Sequence, residues 1–240
     1  MSVQIKICGI RRPQDVDYIN EYLPDYAGFI FWGKSFRYVT LQEACALRRR
    51  MDPRIPTVGV FVNEAPAKIA EYVHSGAIRI VQLHGQETEE DVAELRTLLP
   101  SVPLWKAFKV RSLDDLQKAQ PSTADQILLD NGYGTGQCFD HSLLTQSARE
   151  RVPKQSGRQP DTGSDQSAAA AESPDPTPDP GDYRSFHRPY ILAGGLTPEN
   201  IPEVIRKYHP SMVDISSGVE TDKYKDPDKI RKAIQAAHGA

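Results

Sequence analysis

Short apolar runs rich in β-branched residues alternate along this chain with longer amphipathic stretches. The short runs have the length and composition of buried strands, and the longer stretches repeat their apolar positions at helical spacing. The pattern predicts strands over residues 3–7, 27–31, 57–62, 78–83, 104–110, 127–130, 190–193 and 212–215. It predicts helices over residues 13–22, 41–51, 65–75, 87–99, 113–119, 140–148, 198–208 and 227–237.

Eight strand–helix pairs in regular order predict parallel strands joined by helical crossovers. Eight such units within 240 residues match the size of a (β/α)8 barrel. A doubly wound open sheet is the alternative, but it usually has fewer units and a GxGxxG turn after its first strand, which this sequence lacks. We therefore predict an α/β protein, a single-domain (β/α)8 TIM barrel over residues 1–240.

Residues 154–182 interrupt the alternation between the predicted helix 140–148 and the strand 190–193. Proline, serine, aspartate and glycine dominate this segment, and large apolar residues are absent. Such a segment cannot offset its ordering entropy by burial, so we predict a disordered, low-complexity insertion, with a partner-binding tail or lid as the alternative. Because it follows a helix and precedes a strand, we expect it to leave the barrel on the face opposite the active site.

Composition narrows the classes of function. Hydrophobic residues make up 39% of the chain and charged residues 25%, as in soluble globular proteins, and a net charge of −3 gives no basic excess for nucleic acid. No apolar run is long enough for a membrane span, and the first residues lack the pattern of a secretory signal. Three cysteines without CxxC spacing disfavour a disulfide framework and fit a reducing cytoplasm, where we expect the protein to act.

Glycine-bearing loops follow the last two predicted strands. Gly194 and Gly195 come after the seventh strand, and Ser216, Ser217 and Gly218 come after the eighth. Glycines let the backbone approach an oxyanion closely, and the loops after strands 7 and 8 are the recurrent phosphate site of this fold. The sequence therefore predicts a phosphorylated small molecule as the ligand.

Candidate acid–base groups also lie at strand ends. Cys8 ends the first strand, and Lys6, two residues earlier, points to the same face, where its ammonium favours a thiolate. Asp130 ends an apolar strand, a position that can hold a carboxyl in its protonated form, although turn chemistry explains it equally well. Asp214, in the eighth strand, is a rival for that role. Cys45 is expected to be a packing residue, and Cys138 has no assigned role.

Two further polar residues are candidates for ligand binding. Arg37 follows the second strand, and a guanidinium binds a carboxylate through two parallel hydrogen bonds. His84 follows the fourth strand and is either a ligand contact or a hydrogen-bonded histidine of a strand end. The sequence shows no metal-ligand spacing and no GxSxG nucleophile elbow.

Taken together and in order, these segments resemble the phosphoribosylanthranilate isomerase family of tryptophan biosynthesis. The resemblance covers the chain outside the insertion. It rests on KICG at 6–9, GFIF at 28–31, SFRYV at 35–39, VGVFVN at 58–63, VQLHG at 81–85, LLD at 128–130, GTG at 134–136, FD at 139–140, LAGGL at 192–196 and VDISSGVE at 213–220.

The resemblance implies a cofactor-free (β/α)8 enzyme that converts N-(5-phosphoribosyl)anthranilate to 1-(2-carboxyphenylamino)-1-deoxyribulose 5-phosphate by an Amadori rearrangement. It implies that Cys8 is the general base, that Asp130 is the general acid and that Arg37 holds the anthranilate carboxylate. The backbone amides near Gly195, Ser217 and Gly218 would hold the phosphate. The family usually has proline before the arginine, whereas this chain has Phe36, which loosens the backbone there.

Other readings remain open at this stage. The alternatives are another phosphate-binding barrel isomerase or epimerase and a catalytically inactive barrel that binds a phosphosugar. The substrate-binding set that we predict also includes His84, Gly194, Asp214 and Ser216. We expect a monomer, with a dimer as the alternative, that binds neither nucleic acid nor membrane.

The placement of the insertion gives a first prediction. Replacing residues 154–182 with a short Gly/Ser loop should leave isomerase turnover nearly unchanged, because the segment is expected to lie opposite the site. Steady-state assays, with circular dichroism to confirm folding, measure this. A large loss of turnover in a folded deletion variant contradicts the placement.

Overall fold

The predicted barrel is confirmed. In the computed structural model, which describes residues 3–130 and 188–240, eight parallel strands close into a barrel in which β1 pairs with both β2 and β8. The strands are β1 Gln4–Cys8, β2 Tyr26–Ile30, β3 Thr57–Phe61, β4 Ile80–Leu83, β5 Leu104–Lys109, β6 Gln126–Asp130, β7 Tyr190–Ala193 and β8 Met212–Ile215.

Helices follow the strands as the hydrophobic pattern predicts. Those in the described residues are α1 Pro13–Tyr22, α2 Leu41–Arg50, α3 Pro66–His74, α4 Glu89–Leu98, α5 Leu113–Ala119, α6 Ile201–Tyr208 and α7 Pro227–His238. The predicted helix 140–148, the predicted insertion 154–182 and Cys138 lie outside the described residues.

Capping interactions set two of the helix starts. The Thr40 hydroxyl accepts a hydrogen bond from the Glu43 amide at 3.2 Å, so α2 begins at Leu41 as predicted. Helix α6 begins at Ile201, three residues later than the predicted start at residue 198. There the Asn200 side chain accepts from the Thr197 amide at 2.8 Å and holds residues 197–200 in a turn.

A short hairpin after β8 was not predicted. A 3-10 helix, Ser217–Val219, leads into β9 Glu220–Thr221, which pairs antiparallel with β10 Tyr224–Lys225. The two turn residues, Asp222 and Lys223, have φ of 52° and 66°. Such left-handed turns usually carry Asn-Gly or Asp-Gly, so Asp-Lys gives only a weak sequence signal.

Alternation along the strands divides the core into two layers. One apolar cluster fills the barrel interior and includes a residue from each of the six strands β3 to β8: Val58, Ile80, Trp105, Leu128, Ile191 and Met212. The larger cluster lies between the strands and the helices and includes Ile7, Phe29 and Phe61. Both faces of every strand are therefore covered, as in other parallel barrels.

Gly59 tests the packing of the outer layer. A Cβ there would lie 2.5 Å from Cδ1 of Ile78 and 2.9 Å from Cε2 of Phe61. Because these side chains are buried, we expect Gly59→Ala to destabilise the fold by about 1–3 kcal/mol, measured by urea unfolding. Gly33→Ala is the matched control, since nothing lies within 4 Å of its added Cβ. Equal stability of the two variants contradicts the packing argument.

Candidate active site

A cavity of about 590 Å³ opens at the carboxyl ends of the barrel strands. Nine of the residues predicted from the sequence line it together: Cys8, Arg37, His84, Asp130, Gly194, Gly195, Asp214, Ser216 and Ser217. Gly218 lies behind this lining, where a Cβ would stand 1.9 Å from the carbonyl oxygen of Leu196. The close approach of these two loops requires glycine at that position.

Cys8 occupies the end of β1 and is buried, with 6% of the residue exposed. Its neighbour in the register is Gly28, where a Cβ would lie 2.9 Å from Sγ, so the glycine makes room for the thiol. Burial raises the pKa of Cys8 above its ordinary value, because a thiolate is poorly solvated in the barrel. The nearby ammonium groups of Lys6 and Lys225 oppose this shift, and the charge of Asp214 adds to it.

Lys6 is fully buried one layer below the thiol. Its Nζ donates to Oδ2 of Asp214 at 2.8 Å, across the pairing of β1 with β8. Burial opposes the charged amine, but the neighbouring Asp214 and Cys8 raise the pKa of Lys6 above its ordinary value. The pull of Lys6 on Cys8 has the direction predicted from the sequence. It does not favour the thiolate overall, because burial outweighs it.

Asp214 is the partner of Lys6 in this buried ion pair. Its second oxygen, Oδ1, is buried and accepts no hydrogen bond from the described residues. An acceptor of this kind at a cavity wall is suited to a ligand hydroxyl. The pairing with Lys6 makes Asp214 a weaker candidate for a proton donor than Asp130.

Asp130 belongs to a chain of three side chains. Oδ2 of Asp130 lies 3.1 Å from Nε2 of His84, and Nδ1 of His84 lies 2.9 Å from Nε2 of Gln82. With the amide nitrogen of Gln82 facing Nδ1, that nitrogen donates and Nδ1 accepts, which leaves the Nε2–H of His84 to donate to Asp130. His84 is thus a hydrogen-bonded histidine of a strand end and also lines the cavity. Sequence reasoning missed Gln82, although its place two residues before His84 puts both on one face.

The two glycines of the loop after β7 adopt a left-handed backbone. Gly194 and Gly195 have φ of 86° and 66°, values that residues other than glycine rarely adopt. Ser216 lines the cavity, but its hydroxyl donates to the carbonyl of Cys8 at 3.0 Å and ties the end of β8 to the end of β1. The loops after β7 and β8 therefore form one wall of the site, next to the thiol.

Arg37 reaches the cavity from the loop after β2 as half of a buried ion pair. Its Nε and Nη2 donate to the two carboxylate oxygens of Glu220 at 2.7 and 2.8 Å. Nζ of Lys225 donates to the same carboxylate at 2.8 Å and to the Ser216 carbonyl at 2.9 Å. Sequence reasoning missed Glu220 and Lys225, because their roles depend on the hairpin after β8.

Other classes of site find little support in the residues that the structure describes. Among them, no three histidine, cysteine or carboxylate side chains are grouped as metal ligands would be. Within the same ranges, no helix has the length and apolar character needed to cross a membrane. Cys45 is half-buried in α2 and packs against the core.

The family model of N-(5'-phosphoribosyl)anthranilate isomerase matches residues 5–155 and 181–236. The chain belongs to this isomerase family. The model leaves unmatched residues 156–180, which fall within the predicted insertion. The resemblance stated from the sequence is therefore confirmed, and the reaction of the family is isomerisation of a phosphoribosyl substrate.

Named relatives agree with the family model over the whole chain. The N-(5'-phosphoribosyl)anthranilate isomerase of Acetivibrio thermocellus is 36% identical, covering 98% of this chain and 96% of its own. That of Clostridium acetobutylicum is 35% identical over 97% of this chain and 96% of its own.

Solved structures give the same result. A monomeric form of the dimeric enzyme of Thermotoga maritima has 33% identity and a TM-score of 0.74, covering 99% of this chain and all of its own. An isomerase in complex with reduced 1-(o-carboxyphenylamino)-1-deoxyribulose 5-phosphate has 31% identity and a TM-score of 0.73, with the same coverage.

The Lys6–Cys8 interaction can be tested directly. We expect Lys6→Met to raise the pKa of Cys8 further, because it removes the nearest positive charge and leaves Asp214 without its counter-ion. The pH dependence of iodoacetamide alkylation, followed by mass spectrometry, measures this pKa. Cys45 serves as the internal reference in the same sample. An unchanged midpoint for Cys8 rules out electrostatic help from Lys6.

Proposed function

We propose that this cavity converts N-(5-phosphoribosyl)anthranilate to 1-(2-carboxyphenylamino)-1-deoxyribulose 5-phosphate, with Asp130 as general acid and Cys8 as general base. The observation that carries the proposal is that a carboxyl from β6 and a thiol from β1 line one cavity with an arginine and two glycine loops. Acid and base then approach a bound sugar from separate strands of the barrel, as an isomerisation with two proton transfers requires.

Asp130 performs the first proton transfer in this scheme. It donates a proton to the ring oxygen of the ribose as the bond between that oxygen and C1 breaks. The nitrogen lone pair of the anthranilate forms the C1=N bond, which gives an open-chain iminium ion. His84, held by Gln82, donates its Nε2–H to Oδ2 of Asp130 and so orients the carboxyl.

Cys8 performs the second transfer. Its thiolate removes the proton from C2, the electron pair forms the C1=C2 bond, and the electrons of C1=N return to nitrogen. The resulting enol tautomerises: the C2 hydroxyl loses its proton and C1 gains one. The burial that raises the pKa of the thiol in the empty site is opposed by the iminium charge at the moment of transfer.

Three groups of contacts bind the substrate in this proposal. The loops carrying Gly194, Gly195, Ser217 and Gly218 hold the phosphate through backbone amides. Arg37 binds the anthranilate carboxylate, and Oδ1 of Asp214 accepts from a sugar hydroxyl, with His84 and Ser216 on the same wall. The complex of a related isomerase with a reduced product analogue supports a ligand that carries both a carboxylate and a phosphate.

The reaction needs no external oxidant or reductant, because C1 is reduced as C2 is oxidised within one molecule. We accordingly propose an enzyme without cofactor or metal. We further propose that it acts in the cytoplasm as a monomer that binds a phosphorylated small molecule, with the insertion 154–182 outside the catalytic unit. Dimerisation, as in the Thermotoga maritima relative, is the alternative that light scattering tests.

The assignment of acid and base gives the next prediction. We expect Cys8→Ser and Asp130→Asn each to lower kcat by about 10²–10⁴-fold, since each removes one proton transfer. The assay uses phosphoribosylanthranilate made in situ, because the compound is labile. Cys45→Ser and Asp114→Asn make the same chemical changes at a packing cysteine and an exposed helix position, and should retain activity.

The two variants also separate function from structure. Both keep nearly the same side-chain volume, so their thermal unfolding should resemble that of the parent protein. Normal turnover of either variant contradicts the role assigned to that residue. Absence of turnover by the parent protein, with phosphosugar binding intact, favours the inactive barrel.

A further inference from the structure

We propose that Glu220, held by Lys225, is a positioning residue that directs the Arg37 guanidinium at the substrate carboxylate and makes the site select for a carboxyphenylamino sugar phosphate. The inference rests on the proposed role of Arg37 and assigns that role a structural basis in the hairpin after β8.

The geometry of the guanidinium is the first argument. Glu220 occupies the side of the fork formed by Nε and Nη2. A guanidinium has five N–H donors, so this pairing leaves two on Nη1 and one on Nη2. Within the described residues Nη1 makes no hydrogen bond, and Arg37 lines the cavity. The end of the fork, formed by Nη1 and Nη2, therefore remains for a second carboxylate bound through two parallel hydrogen bonds.

Charge is the second argument. A carboxylate beside Arg37 would by itself cancel the positive charge that a substrate anion needs. Lys225 prevents this, because its Nζ lies 2.8 Å from Oε1 of Glu220 and the residue is buried. Burial lowers the pKa of Lys225, and its contact with Glu220 opposes that shift. With Lys225 protonated, the three groups together carry one net positive charge. Glu220 thus fixes the direction of the guanidinium, and Lys225 preserves its attraction for an anion.

The surroundings of the Arg37 side chain are the third argument. A Cβ on Gly9 would lie 2.5 Å from Cδ of Arg37, so the backbone after Cys8 forms a wall against the aliphatic stem. The Phe36 ring covers the guanidinium, with its centroid 4.1 Å from Cζ. The aliphatic stem of Arg37 therefore contacts Gly9, the face of its guanidinium contacts Phe36, and one edge contacts Glu220. What remains is the edge that a substrate can use.

Glu220 is itself held in place from the helix that follows the hairpin. Nζ of Lys229, in α7, donates to the Glu220 carbonyl at 2.7 Å. Burial would raise the pKa of Glu220, but the hydrogen bonds from Arg37 and the charge of Lys225 keep it below the ordinary value. Glu220 is therefore ionised through the pH range in which the enzyme would be assayed, and its pairing with Arg37 does not titrate there.

The test compares two ligands that differ only in the carboxylate. One is reduced 1-(2-carboxyphenylamino)-1-deoxyribulose 5-phosphate, and the other is its phenylamino counterpart without the carboxyl group. Isothermal titration calorimetry on the full chain gives both Kd values. We expect Glu220→Gln to lower the preference for the carboxylated ligand by about tenfold to a hundredfold, as expected for charged hydrogen bonds. The Kd of the phenylamino ligand should stay nearly constant.

Two further variants keep the test decisive. Glu220→Asp serves as the test if the glutamine variant fails to fold. It retains the charge that faces Lys225 but is one methylene too short for the paired contact with Arg37, so it should lose the same preference for the carboxylated ligand. Asp222→Asn removes one negative charge from the exposed turn of the same hairpin and should leave both Kd values unchanged. In the background of Arg37→Lys, which lacks the fork, Glu220→Gln should have little further effect on the preference.

The outcomes are distinct. Equal weakening of both ligands by Glu220→Gln means a purely structural role and overturns the inference. An unchanged preference in Glu220→Gln also overturns it while leaving Arg37 as the carboxylate site. If the parent protein binds the two ligands equally, the assignment of Arg37 in the proposed function fails, and the inference fails with it.

Discussion

Pairing of β1 with β8 closes the barrel, and the candidate site depends on that closure. The register of this pairing places Lys6 beside Asp214. The carboxyl ends of the two strands are joined by a further hydrogen bond, which the Ser216 hydroxyl donates to the Cys8 carbonyl. Lys225 donates to the Ser216 carbonyl from the hairpin that follows. The Cys8 thiol, the loop after β8 and the Arg37 guanidinium therefore meet along one seam, although Ser216 and Cys8 are 208 positions apart in the sequence.

Burial of charge along this seam sets the chemistry. The ammonium groups of Lys6 and Lys225 both act on Cys8, and each is paired with a carboxylate, Lys6 with Asp214 and Lys225 with Glu220. Each cation is thus largely committed to its own carboxylate, and desolvation decides the pKa of the thiol. In the proposed reaction, the positive charge of the iminium intermediate would favour the thiolate form of Cys8 and so tie its basicity to the presence of substrate.

Sequence reasoning reached the architecture and most of the predicted residues that line the cavity, because both follow from local patterns. Alternating short and long apolar segments specify the barrel, and the barrel rule then gathers the strand-end residues Cys8, His84 and Asp130. It missed Gln82, Glu220 and Lys225, because a buried polar residue gives no signal until its partners are known. It also missed the hairpin, since two-residue strands with Asp-Lys at the turn lack both periodicity and glycine.

Phe36 restrains Arg37 through its side chain, whereas a proline at this position would restrain it through the backbone. Proline at this position would fix φ before Arg37, and its replacement frees the backbone there. In this chain the aromatic ring instead lies over the guanidinium, while Gly9 and Glu220 contact the stem and one edge. A cation–π contact at a half-exposed ring is worth about 0.5–1 kcal/mol, less than a paired charged hydrogen bond. Glu220 is therefore the main restraint on the Arg37 side chain. The Phe36 ring adds a weaker restraint at the face of the guanidinium.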